Sequence, residues 1–112
     1  MRTSIRPDHR MLAETLRRRV LEGPGETPPA LRQASAERAA GGPAAETFFD
    51  GLACQIGEAA HGVTDAQVSG VLAATGNEKA TFEIIAAAAV GAGLFRWRQA
   101  IKVLEEASDA SG

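Results

Sequence analysis

From Ile84 to Phe95 the chain carries no charged and no strongly polar side chain. The run lies inside the stretch TGNEKATFEIIAAAAVGAGLFRWRQAIKVLEE, which begins at Thr75. Its pattern predicts a helix that is apolar on every side, surrounded by the other helices or by copies of itself. Ala86 to Ala89, Gly91, Ala92 and Gly93 would let neighbouring backbones approach closely. Asn77 stands at the N-cap position, and Glu78 favours the positive end of the helix dipole. The uncharged run is shorter than the about 20 apolar residues that a bilayer requires, so a core helix is expected and no membrane span. Two glycines, Gly91 and Gly93, mark a place where this helix could bend.

Four further helices are expected before it. Leu12, Leu16 and Val20 recur every four residues and predict a first helix from about Pro7 to Leu21, with Pro7 in its first turn. The breaker-rich EGPGETPP, Glu22 to Pro29, ends it. A second helix is expected with Thr27 as cap and Pro28 at its first position, stopping at Gly41-Gly42. Leu31 is its only large aliphatic residue, which predicts a place on the outside of the bundle or against a partner. A third helix, following Pro43 and running to about His61, carries Ala45, Phe49, Leu52, Ala53, Ile56 and Ala60 on one stripe. Glu46, Asp50, Cys54, Glu58 and His61 fall off that stripe. The fourth has the clearest start signal: Thr64 and Gln67 form a capping box, Val63 and Val68 a hydrophobic staple, and Gly76 closes it. Ser108 to Gly112 is expected to fray. No strand pattern or internal repeat is present, so the fold class is all-α, a bundle of about five helices within one domain of 112 residues.

Composition adds a constraint on assembly. Hydrophobic residues make up 45% of the chain but aromatic ones only 4%, because alanine supplies much of the apolar content. An alanine core buries little area, at about 25 cal/mol per Å², so oligomerisation is expected to complete it: a homo-oligomer, either a trimer or a multiple of it, or a dimer. The net charge of −2 argues against a general nucleic-acid binder, although the first 21 residues hold Arg2, Arg6, Arg10, Arg17, Arg18 and Arg19. Near a helix C-terminus the Arg17–Arg19 triplet is accounted for by the dipole. A basic arm contacting nucleic acid would instead show salt-sensitive binding through it. The lone cysteine excludes an internal disulfide framework and fits a cytoplasmic protein. No cofactor or metal is expected.

The candidate chemistry lies in two places. Asp50 and Glu58 stand one helical turn either side of Cys54, and His61 two turns on, about 10 Å along the axis. That spacing prevents a direct Cys–His hydrogen bond within one helix, and flanking carboxylates raise a thiol pKa. A structural cysteine at a helix or subunit contact is the competing interpretation. The second candidate is Glu83, between Phe82 and Ile84. It is either an acid–base group of raised pKa, an arginine's partner, or a partly solvated first-turn glutamate.

The capped helix VTDAQVSGVLAAT, then Gly76, Phe82, Glu83, Ala87, Ala88 and Gly93, resembles the end of alkylhydroperoxidase D-like proteins and their carboxymuconolactone decarboxylase relatives. The resemblance covers about Ala60 to Glu105. It implies an all-helical, oligomeric fold in a cytoplasmic redox or ring-opening setting. Redox-active members carry C-x-x-C-x-x-x-H before that glycine. Counting back from Gly76 without a gap puts His61, Thr64 and Val68 at those positions, so the dithiol is lost. A gapped register, with a seven-residue deletion, would use Cys54, Gly57 and His61 and still lack the second cysteine. The expected protein is a non-catalytic or accessory member that acts by self-association or by binding a partner protein. The alternative is a peroxidase or decarboxylase-type enzyme using Cys54 and His61, with Glu58 or Glu83 as acid–base.

Overall fold

The computed structural model describes residues 8–111, all-helical apart from turns and connections. Five α-helices follow one another: α1 (His9–Glu22), α2 (Pro29–Ala39), α3 (Asp50–Ala59), α4 (Asp65–Thr75) and α5 (Glu78–Ser111), with a 3-10 turn at Ala60–Gly62. The all-α class and the five helices match the reading of the sequence. α5 is the spine. Its 34 residues give a length of about 51 Å, which sets the 55 Å long dimension of the molecule. The helix continues unbroken through Gly91 and Gly93 and onward to Ser111, where a frayed tail was expected from Ser108.

The local start and stop signals of α4 and α5 work as their chemistry dictates. The Thr64 hydroxyl accepts from the Gln67 amide at 3.2 Å, and the Gln67 side chain accepts from the Thr64 amide at 2.9 Å. Val63 and Val68 pack together against the core. Gly76 takes the left-handed conformation (φ 65°) that a side chain would resist, and its amide closes α4 on Leu72. Asn77 Oδ1 then caps α5 by accepting from the Ala80 amide at 3.1 Å.

Elsewhere tertiary contacts override the local pattern. α1 opens at His9 because Asp8 caps it, accepting from the amides of Arg10 and Met11; the proposed first-turn Pro7 lies outside the described residues. Leu12 and Leu16 are exposed, and the inward face is Val20 with the buried Leu21. Periodicity groups residues on a face, but it does not say which face meets the core. α2 begins one residue later than expected, at Pro29, because the Thr27 side chain is engaged by Glu83 and caps nothing. Residues 43–49 are not helical. Asp50 holds them as a loop by accepting from the Ala45 amide at 2.9 Å and from Arg38 Nε at 2.8 Å, so α3 starts at Asp50 and leaves Ala45 and Glu46 exposed.

The largest correction concerns α2, expected on the outside. It packs against α1, α3 and most extensively α5, burying Ser35, Ala36 and Ala39. Small side chains are the reason. A Cβ added to Gly91 of α5 would lie 2.4 Å from the Ala36 carbonyl oxygen, and one on Gly57 of α3 would lie 2.0 Å from that of Ala39. The helices therefore touch backbone to backbone, and the thin face is the most closely packed one. Around this contact lie Phe49, Leu52, Ile56, Val71, Ile84 and Ala88.

α5 is not enclosed. Ile84, Ala87, Ala88 and Ala92 are buried along one face, whereas Phe82 is 65% exposed and Leu104 64%. As one continuous helix, Glu78–Asp109 is also long and apolar enough to cross a membrane by length and composition, with a third of its most apolar window buried. The expectation of no spanning segment counted only the uncharged run.

Gly91→Ala is expected to lower stability by about 1–3 kcal/mol through overpacking, despite alanine's better helix propensity. Gly70→Ala, where an added Cβ meets open space in α4, should raise it by about 0.5–1 kcal/mol. Urea unfolding of both variants checks the pair.

Candidate functional site

Cys54 is half-buried on α3, where it lines a cleft of about 210 Å³ between α2, α3 and α5. Arg38, Glu58, Phe95 and Arg96 share the lining. The thiol donates to Glu58 Oε1 at 3.5 Å. Burial pushes its pKa up, the Glu58 contact pushes it further, and Arg38 opposes them less effectively. Arg38 is itself committed to Asp50 and to the Gly42 carbonyl. Arg96 donates to the Gly57 carbonyl. The cleft's cations thus close the structure around the cysteine instead of stabilising a thiolate, which a nucleophilic cysteine requires.

The other candidates separate. Asp50 lies one turn from Cys54 but serves as the clasp of the 43–49 loop. The Ala45 amide and then Arg38 hold its carboxyl below the ordinary 3.8. His61 falls in the 3-10 turn beyond α3, exposed and outside the lining of the Cys54 cleft. Among the described residues no group of three or more His, Cys, Asp or Glu side chains is placed to hold a metal ion.

Glu83 belongs to a different constellation altogether. Its carboxylate accepts from the Glu26 amide, the Thr27 amide and the Thr27 hydroxyl at 2.7–2.8 Å, pinning the linker between α1 and α2 onto α5. Burial raises its pKa, but the Thr27 hydroxyl, the two amides and nearby Arg32 together hold it below the ordinary 4.5. A proton-transfer acid of raised pKa is therefore replaced by an ionised anchor. Its charge partner, Arg32, was not singled out from the sequence. It is buried on α2, and its guanidinium donates to the carbonyls of Val20 (2.8 Å), Gly23 (2.5 Å) and Thr27 (3.3 Å). These include carbonyls at the C-terminal end of α1, where a cation favours the dipole. An arginine in the first turn after a double proline, three positions beyond Pro29 in an alanine-rich helix, was the available signal.

Comparison with known proteins finds no counterpart for this arrangement: no family model, no curated protein and no solved structure matches the chain.

Two outcomes follow from the site. Alkylation of Cys54 should be slow at neutral pH, with a midpoint raised above that of a free thiol; a midpoint well below the free-thiol value of about 8.5 would establish an activated thiolate. Glu83 and Asp50 both have depressed carboxyl pKa values when folded, so their stabilisation is complete above their unfolded values of 4.5 and 3.8 and is lost as pH falls through the folded ones. Glu83→Gln should cost about 1–3 kcal/mol at neutral pH and make the acid loss of stability shallower in a pH series of denaturant melts. An unchanged acid limb would refute the anchor role.

Proposed function

We propose that the chain is a non-catalytic or accessory helical protein that acts by associating with itself, or with a partner protein, through helix faces that its own fold leaves uncovered. One observation carries this: the apolar outer face of α5, where Phe82, Val103 and Leu104 are each more than 60% exposed. Leu12 and Leu16 of α1 add further uncovered apolar surface. Exposed apolar area of this kind marks association surfaces. The likeness to alkylhydroperoxidase D-like proteins is part of the proposal, supported by the helical order, the capped α4 and the left-handed Gly76. Its dithiol chemistry has no second cysteine to use.

The cleft around Cys54 favours a second reading, a peroxidase or decarboxylase-type enzyme that draws His61 from a neighbouring copy. Raised thiol pKa and engaged arginines speak for the first reading instead. The arginine triplet adds little to a nucleic-acid reading. Arg17 is held by Glu14 at 2.9 Å and Glu22 at 2.5 Å, so its charge is already balanced. A cytoplasmic setting is the remaining part of the proposal and rests on the single cysteine.

Sedimentation equilibrium of the purified chain across micromolar concentrations is the test. A mass above the monomer is expected, unchanged in Cys54→Ala. A monomer throughout would overturn self-association, and recovery of the chain only in detergent or vesicles would reassign α5 to the bilayer.

A further inference from the structure

Gly93 is one of three helical glycines, with Gly51 and Gly70, for which the fold shows no packing reason, and the one that lies on α5. Two positions earlier, Gly91 is required by the backbone contact with Ala36. An added Cβ at Gly93 would meet nothing within 4 Å, and Gly93 is not among the positive-φ residues. Glycine inside a helix costs about 1 kcal/mol relative to alanine, and nothing within the molecule recovers that cost.

The positions around Gly93 form a seam on the side of α5 away from the core. Ala86, Val90, Gly93, Trp97, Ala100 and Leu104 follow one another in steps of four and three, the 3.5-residue period of two helices packed along their length. Every seventh position of one register is small: Ala86, Gly93 and Ala100. The other register is larger: Val90, Trp97 and Leu104. Gly93, Ala100 and Leu104 are exposed, and the other three are half-buried.

Building on the self-association reading, we propose that the outer face of α5 binds the same face of a second copy, antiparallel, with the twofold axis at Gly93. About that point side-chain sizes are matched at two pairs of positions and complementary at a third. Eleven residues to either side lie Phe82 and Leu104, seven to either side Ala86 and Ala100, and four to either side Ala89 and Trp97. An antiparallel pair centred on Gly93 therefore seats Phe82 beside Leu104 of the second copy, alanine on alanine, and the bulk of Trp97 over Ala89. Gly93 faces Gly93 where the helices come closest.

Charge favours the same direction. Antiparallel packing brings Lys79 at one end within a turn of Glu105 of the second copy, a carboxylate that also pairs with Arg10 of its own chain, whereas a parallel pair would set lysine on lysine and Trp97 on Trp97. A receptacle is also present: Trp97, Ile101 and Leu104 line an open groove of about 440 Å³ whose other wall is His9 and Arg10 of α1. Phe82 of the second copy lands at its edge.

The seam from Phe82 to Leu104 is about 33 Å long and about 10 Å wide. That is a small contact beside the about 800 Å² per subunit of a standard stable interface, so the dimer dissociates reversibly in the micromolar range.

The test uses the full chain with Cys54→Ala. Chains carrying Phe82→Cys and chains carrying Leu104→Cys are mixed and oxidised under mild conditions. The antiparallel dimer gives the mixed disulfide several-fold in excess of either like pair. Excess of the like pairs would establish a parallel arrangement and overturn the proposal. In parallel, Gly93→Leu, which fills open space in the monomer, should remain folded by circular dichroism yet lose association by at least tenfold. Association that persists in Gly93→Leu, with no preferred disulfide, would overturn this interface while leaving self-association standing. A native chain that is monomeric throughout would overturn both.

Discussion

The close crossing of α2 over α5 is the constraint on which the rest of the structure depends. At Gly91 the two backbones meet with no side chain between them, and at Gly57 the same helix α2 meets α3 in the same way. Backbone contact needs accurate placement of both helices, and hydrophobic burial alone, which has no direction, does not provide it. The placement comes from polar groups at the two ends of α2. At its start, Arg32 gathers three carbonyls and Glu83 gathers the linker's donors. At its end, Arg38 joins Asp50 and the Gly42 carbonyl.

That arrangement explains why the candidate chemistry is muted. The chain is rich in arginine and carboxylate, but the pairs nearest the interior are used to fix helices. Cys54 lies between Arg38 and Arg96 without an available cation, because one is held by a carboxylate and the other by a backbone carbonyl. Its hydrogen-bond partner is Glu58, an acceptor that stabilises the thiol and disfavours the thiolate. A low-pKa nucleophile needs the opposite electrostatics.

The same close packing determines what remains uncovered. Small residues allow α2 and α3 to cluster on one side of α5, and α5 then extends past them with its second half largely exposed. A five-helix chain whose inner contacts are made by alanine and glycine spends few large side chains on its core. Phe82, Leu104, Leu12 and Leu16 are left on the surface instead. The assembly proposed through α5 would be the physical completion of a fold built in this way.

Much of this was legible in the sequence. The capping box at Thr64, the staple of Val63 and Val68, the left-handed stop at Gly76 and the Asn77 cap depend only on residues a few positions apart, so their chemistry can be read locally. The stripe of Phe49, Leu52, Ala53 and Ile56 likewise follows from helical period. Only the tertiary structure decided that the thin α2 is central, because small side chains look weak along the chain yet permit the closest approach in space. It also decided the roles of the charged groups. Asp50 became a loop clasp, Glu83 an anchor and Arg32 a buried tie, each through partners 5 to 57 residues away that no periodicity links. Local hydrogen bonds are written in the sequence; long-range electrostatic pairing depends on which backbones the packing brings together.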